Sequence, residues 1–286
     1  MKLTTPWTGI LSFFIVLFTM PLGHAAMILM EKLIGPSHLY LSALLLGAAG
    51  SILLLLGIFT VRETKATLAG LFGGLFVWTG WIEFAYVYYA HRFGVQPLLE
   101  NGEIVTKPEY LIMPSSIGFW AVIMLFYTFS TRSGCNMFTW IQRKLHYGQK
   151  PESKLQPVIR NAAMTAFMEM NILMWTCYIV LLIAYDEHFL GDRHPLTIAI
   201  AVGSLLWSAY LFIRLVKIKK IAYAIRYSIP TVIIFWTFVE IAGRWNFFEE
   251  IWTNPLYYRK EMAGMLTGLF LLLALLLWKG GASKVN

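Results

Sequence analysis

The sequence predicts an all-α integral membrane protein, a single helical bundle of about eight transmembrane helices with both termini on the cytoplasmic side. Three observations carry this. The 286 residues are 58% hydrophobic and only 13% charged, with mean hydropathy +0.64, and the apolar residues run along the whole chain instead of gathering as a soluble core would require. They fall into eight stretches near the length of about 20 residues that a helix needs to cross a bilayer. The basic residues alternate between the two sets of connecting segments.

In order, the spans are read at 7–34, 39–61, 67–91, 114–131, 161–185, 195–216, 227–247 and 262–280. With the N-terminus inside, the inner segments collect sixteen of the 23 Lys and Arg, from Lys2 and Arg62 to Lys279 and Lys284, against Glu63 and Glu152 alone. That asymmetry orients the chain by the positive-inside rule and places it in the cytoplasmic membrane as a multi-pass protein. Residues 1–25 also carry a pattern like a secretory signal: Lys2, an apolar stretch, Pro21 and a Gly-His-Ala end. Because the apolar run continues through Ala26 to Met30, they are read as the first span, with cleavage the subordinate alternative.

The connections add three readings. In the outer loop 92–113, "LLENGEIV" places Asn101-Gly102 between apolar residues, the signature of a hairpin turn. The inner loop 132–160 reads as an interfacial, lipid-facing stretch or as ordinary topology charge. Cys135 lies in that loop and Cys177 inside a helix, so a disulfide would have to join different membrane depths. The net charge of +8 sits in loops between spans, which sets nucleic acid aside as a partner and leaves the lipid bilayer.

Against this background the polar groups inside the spans stand out. "FTMPLGHAAMILMEKLIG", residues 18–35, carries His24 and Glu31, while Glu83, Glu169 and Glu240 lie on the third, fifth and seventh spans. All are on odd-numbered helices, which run in one direction. Counted from their cytoplasmic ends, His24, Glu83 and Glu240 lie about 17, 16 and 13 residues deep and Glu169 about 8, so at ~1.5 Å per residue only the first three share a level in the outer half. Met20, His24, Met27 and Glu31 fall on one helical face. Arg244 follows Glu240 by one turn, Tyr86 follows Glu83 by nearly one, and His91 ends the third span. "WIEFA", "FMEMN" and "FVEIA" resemble one another around the three acids, but no longer repeat supports a duplicated module.

An ionised carboxylate at membrane depth costs several kcal/mol, so these groups are expected to face the interior, paired, protonated or metal-bound. The first hypothesis is a metal-dependent membrane-embedded enzyme with an outward-facing pocket. His24, Glu83 and Glu240, with Glu169 or His91, would ligate a divalent first-row metal, namely iron, zinc or copper. Arg244 and Tyr86 would serve the chemistry, and Tyr86, Tyr88, Tyr89 and Trp81 would line a cleft for a lipid or other hydrophobic substrate. The second is a proton- or ion-coupled transporter using the same acids, and the third a non-catalytic membrane subunit whose buried acids specify packing. The outer loop "DEHFLGDRHP", 186–195, is a weaker metal candidate and reads better as a solvated loop in which Pro195 starts a helix. Histidine-box, HExxH, Glu-x-x-His, Gly-x-Ser-x-Gly, P-loop and dinucleotide signatures do not occur.

Overall fold

The computed structural model describes residues 5–100, 103–130, 136–145 and 161–281. Helices α1 (Trp7–Leu33) and α2 (Pro36–Ile58) are followed by α3 (Glu63–Val77), which passes through a π-helical segment, Trp78–Glu83, into α4 (Phe84–Phe93). A hairpin of β1 (Leu98–Glu100) and β2 (Glu103–Thr106) leads to the short α5 (Pro108–Ile112), a 3₁₀ turn and α6 (Ile117–Ser130). Then come α7 (Asn136–Lys144), α8 (Ala162–Tyr185), α9 (Pro195–Leu215), α10 (Ile221–Arg244), a 3₁₀ turn at Ile251–Thr253 and α11 (Arg259–Gly281).

Eight of these helical runs are long and apolar enough to cross a membrane, with α3 to α4 forming the third and α5 to α6 the fourth. The spans sort by burial. Every odd span is more buried than every even one, and the third and seventh lead, with 61% and 67% of their apolar windows enclosed against 11% to 22% for the even spans. The even spans therefore form the periphery, where apolar side chains face outward, and the odd spans form the centre. The two central spans are also the least apolar of the eight, because only enclosed positions tolerate polar side chains.

The ends are tied by polar contacts. At one end Arg226 in the first turns of α10 donates to Glu63 at 2.7 Å and to Thr67 at 2.8 Å on α3. At the other end the hairpin pairs Glu100 with Glu103 and Leu99 with Ile104, and Asn101-Gly102 lie outside the described residues. Residues 146–160 of the expected interfacial loop also lie outside them. In its described part α7 buries Phe138 completely, stacked on Tyr127 and packed with Ile172, while Trp140 and Leu145 stay exposed.

The π-helical segment packs closely on α2. Gly80 lets α2 come so close that a Cβ there would lie 2.5 Å from both the Ala43 carbonyl oxygen and the Gly47 amide nitrogen. The Trp81 indole donates across the same contact to the Leu44 carbonyl at 3.0 Å. Small residues at such interfaces replace the hydrophobic drive that lipid does not supply between helices. Gly80→Ala should therefore destabilise the bundle by about 1–3 kcal/mol as an overpacking change. Thermal unfolding in detergent checks this against Gly118→Ala, where nothing lies within 4 Å of the added carbon. Equal midpoints for the two variants would contradict the close approach.

Candidate functional site

A cavity of about 1330 Å³ occupies the hairpin end of the bundle, walled by α1, the third span, α8 and α10 and bordered by residues near the hairpin and by the segment 246–258. Its floor is set by Met20, Leu75, Met174 and Ile233. One helical turn below each of these lie Val16, Leu71, Met170 and Ile229, all with no exposed surface, so the cavity ends against a sealed apolar layer.

Helix α1 supplies one wall. Met20, His24, Met27 and Glu31 all line the cavity, and the helix runs unbroken through Pro21. His24 Nε2 lies 3.5 Å from Glu240 Oε1 on α10, and both side chains keep 21% exposure toward the cavity. The same oxygen accepts a 2.6 Å hydrogen bond from the Trp236 indole, one turn earlier on α10. Glu31 lies farther up α1, 3.4 Å from Lys107.

Glu83 is the last residue of the π-helical segment and is 6% exposed. The Tyr178 hydroxyl of α8 donates to its Oε1 at 2.9 Å. The Tyr178 ring is held between Trp78 and Tyr110, at centroid distances of 5.5 and 6.0 Å. Tyr86, expected beside Glu83, is not on the wall.

The structure redirects several other expectations. Arg244 lines the cavity; its Nε donates to Asp192 of the 186–195 loop at 2.7 Å, and its guanidinium lies 4.4 Å over the Tyr185 ring. His91 meets the Tyr40 hydroxyl at 2.9 Å on the exposed outside of the bundle. Glu169 is completely buried just below the floor, as its shallower count along the helix implies. Trp81, Tyr88 and Tyr89 are exposed on the periphery, and the aromatic cavity wall is built instead from Trp78, Tyr110, Tyr178, Trp236 and Trp252.

Among the described residues no group of three or more His, Cys, Asp or Glu side chains is placed to hold a metal ion. Of the ligand set expected from sequence, His24, Glu83 and Glu240 line one cavity, with His24 beside Glu240 and Glu83 bonded to Tyr178, while His91 and Glu169 are not among the lining residues. In the 186–195 loop, Asp186 binds the amide and ring of His188, His194 caps α9 by accepting from Leu196, and Asp192 holds Arg244.

Tyr178 and Glu250 are site residues that the sequence reading did not single out. Trp236 could have been found, since it precedes Glu240 by one helical turn. Glu250 comes from the segment after α10, and its carboxylate lies against Gly243, where any Cβ would collide with it. Burial first, and then the charge of Glu240, push the Glu250 carboxyl up to about 7, with Arg244 opposing.

No family model, curated protein or solved structure matches the chain. The class is thus defined by the fold and the site themselves: an α-helical bundle of eight candidate membrane spans with a cavity at one end whose apolar and aromatic walls carry acidic side chains.

Two measurements follow from this geometry. Tyr178→Phe leaves the buried Glu83 carboxyl without its donor and should cost about 1–3 kcal/mol of stability. In a double-mutant cycle with Glu83→Gln the two losses should not add. For Glu250, the ordinary carboxyl value of 4.5 is raised to about 7 in the folded chain, so the native state holds the extra proton between those values. Its contribution to stability then falls as pH rises through that window and is constant above it. Glu250→Gln should unfold at a higher temperature than wild type at pH ~8, with a flatter pH dependence between about 4.5 and 7.

Proposed function

We propose that this chain is a membrane-embedded hydrolase whose pocket faces the extracytoplasmic side and admits a lipid or other hydrophobic substrate. The observation that carries the reading is the sealed-floor cavity, which brings the His24–Glu240 contact and the Tyr178–Glu83 hydrogen bond onto one wall system. The outward orientation rests on the basic residues that cluster at the opposite end of the bundle.

Glu240 Oε1 orients the His24 ring and favours the tautomer that protonates the nitrogen facing it, which leaves the other nitrogen basic. That nitrogen takes a proton from a water molecule entering by the mouth, and the oxygen so activated attacks the substrate. In this reading the Tyr178 hydroxyl, which donates to Glu83 in the resting state, gives its proton to the leaving group and is reprotonated from His24 through water. Hydrolysis is the reaction this set carries with water as its only co-reactant. Among the described residues no three ligating side chains form a metal-holding group, and the reading routes no step through a metal. The apolar walls between the polar groups suit an acyl or other hydrocarbon portion.

The test is product analysis by mass spectrometry, with the full chain in nanodiscs containing a polar lipid extract and added amphiphiles. Glu240→Gln and His24→Ala, folded as judged by monodispersity and unfolding temperature, should lower turnover about 10²–10⁴-fold, the usual range for a positioned acid or base. Proton-driven uptake into liposomes without turnover would replace the reading with transport, which requires the Val16, Leu71, Met170 and Ile229 layer to open. Near-stoichiometric metal in the wild type and its loss in folded His24→Ala would restore the metalloenzyme. Unchanged behaviour in both variants would leave the packing subunit.

A further inference from the structure

The cavity wall carries six carboxylates and three Lys or Arg side chains. Two of those three cations are engaged, Lys107 with Glu31 and Arg244 with Asp192. Carboxyl groups therefore outnumber cations around an apolar-walled space, an arrangement that favours a positive guest.

Aromatic faces are joined to the same carboxylates. The Trp236 indole bonds Glu240, its ring lies 4.9 Å from that of Trp252, and Phe248 follows at 6.0 Å from Trp252. Indole faces beside carboxylates are the usual surroundings of an alkylated or primary ammonium group. A separate observation points to the rest of the guest. Trp78 is 1% exposed and lines the cavity, yet its indole N–H has no acceptor among the described residues. The Tyr185 hydroxyl on the same wall likewise has no hydrogen-bond partner among them. Buried donors of this kind await an acceptor oxygen.

Building on the reading of the cavity as a substrate pocket, we propose that it recognises an organic ammonium group, seated among Glu240, Glu250, Trp236 and Trp252, on a molecule whose oxygen accepts from Trp78. The ammonium compound is either free in solution or the headgroup of an amine-bearing lipid, and the chemistry of recognition is common to both.

The experiment measures thermal stabilisation and binding of the full chain in a neutral detergent with choline, with ethanolamine and with the uncharged carbon isostere of choline. The same chain is then placed in nanodiscs of phosphatidylethanolamine or phosphatidylcholine and compared with phosphatidylglycerol. Saturable binding of a free ammonium compound, at least about ten-fold tighter than the isostere, identifies a soluble guest. Stabilisation by the amine-bearing lipids alone identifies a membrane guest. In either case Glu250→Gln should weaken ammonium binding about ten-fold and leave binding of the isostere unchanged, and Trp252→Leu should weaken it more than Trp252→Phe. Equal binding of the isostere, preference for phosphatidylglycerol, or no ammonium binding in either format overturns the proposal. If an uncharged or anionic amphiphile is turned over while no ammonium compound binds, the hydrolase stands and this inference falls. Ammonium binding without turnover of any amphiphile does the reverse.

Discussion

The structure is governed by the cost of placing carboxylates inside an apolar bundle. A charged group at membrane depth is tolerated only where neighbouring helices enclose it and supply partners. Glu83 and Glu240 sit on the two most enclosed spans, and each is met by a donor from an aromatic side chain, Tyr178 and Trp236 respectively. Enclosing these acids draws the odd spans to the centre, and the even spans are left to cover them. The same requirement accounts for the cavity. Polar side chains on four co-directional helices cannot interdigitate as tightly as the Val16, Leu71, Met170 and Ile229 layer beneath them, so space remains above that layer.

Much of this organisation can be read from the chain. Hydropathy marks the eight spans to within a few residues for most of them, because a lipid-exposed helix must be apolar over its whole crossing. The alignment of His24, Glu83 and Glu240 follows from counting along helices of known rise, and the i, i+4, i+7, i+11 face of α1 follows from helical periodicity, which Pro21 does not interrupt. The same count places Glu169 deeper, and it lies below the cavity floor.

What could not be read is equally specific. Tyr86 follows Glu83 by three residues, yet it is not among the residues that line the cavity. Tyr178 reaches Glu83 from a helix 95 residues away in sequence, and no local pattern announces such a partner. Asp192 comes to Arg244 from the loop after α8, and the Tyr185 ring lies beneath the guanidinium, contacts that no spacing around Arg244 announces. A ligand set inferred from matched depth alone also leaves out azimuth, the direction in which each helix turns its side chains, and azimuth separates His91 from the wall.

The sealed floor has a kinetic consequence. A cavity with one mouth has no separate exit, so whatever leaves must pass through the opening that admitted its predecessor. Two molecules that use the chamber exclude each other in time, and a departing one competes with the next arrival. Occupancy is then set by the relative concentrations of arriving and departing species on one side of the barrier. A long hydrocarbon tail on a guest would also have to thread through the mouth or lie along it, where it would meet the rim formed by Glu31, Lys107 and the segment 246–258.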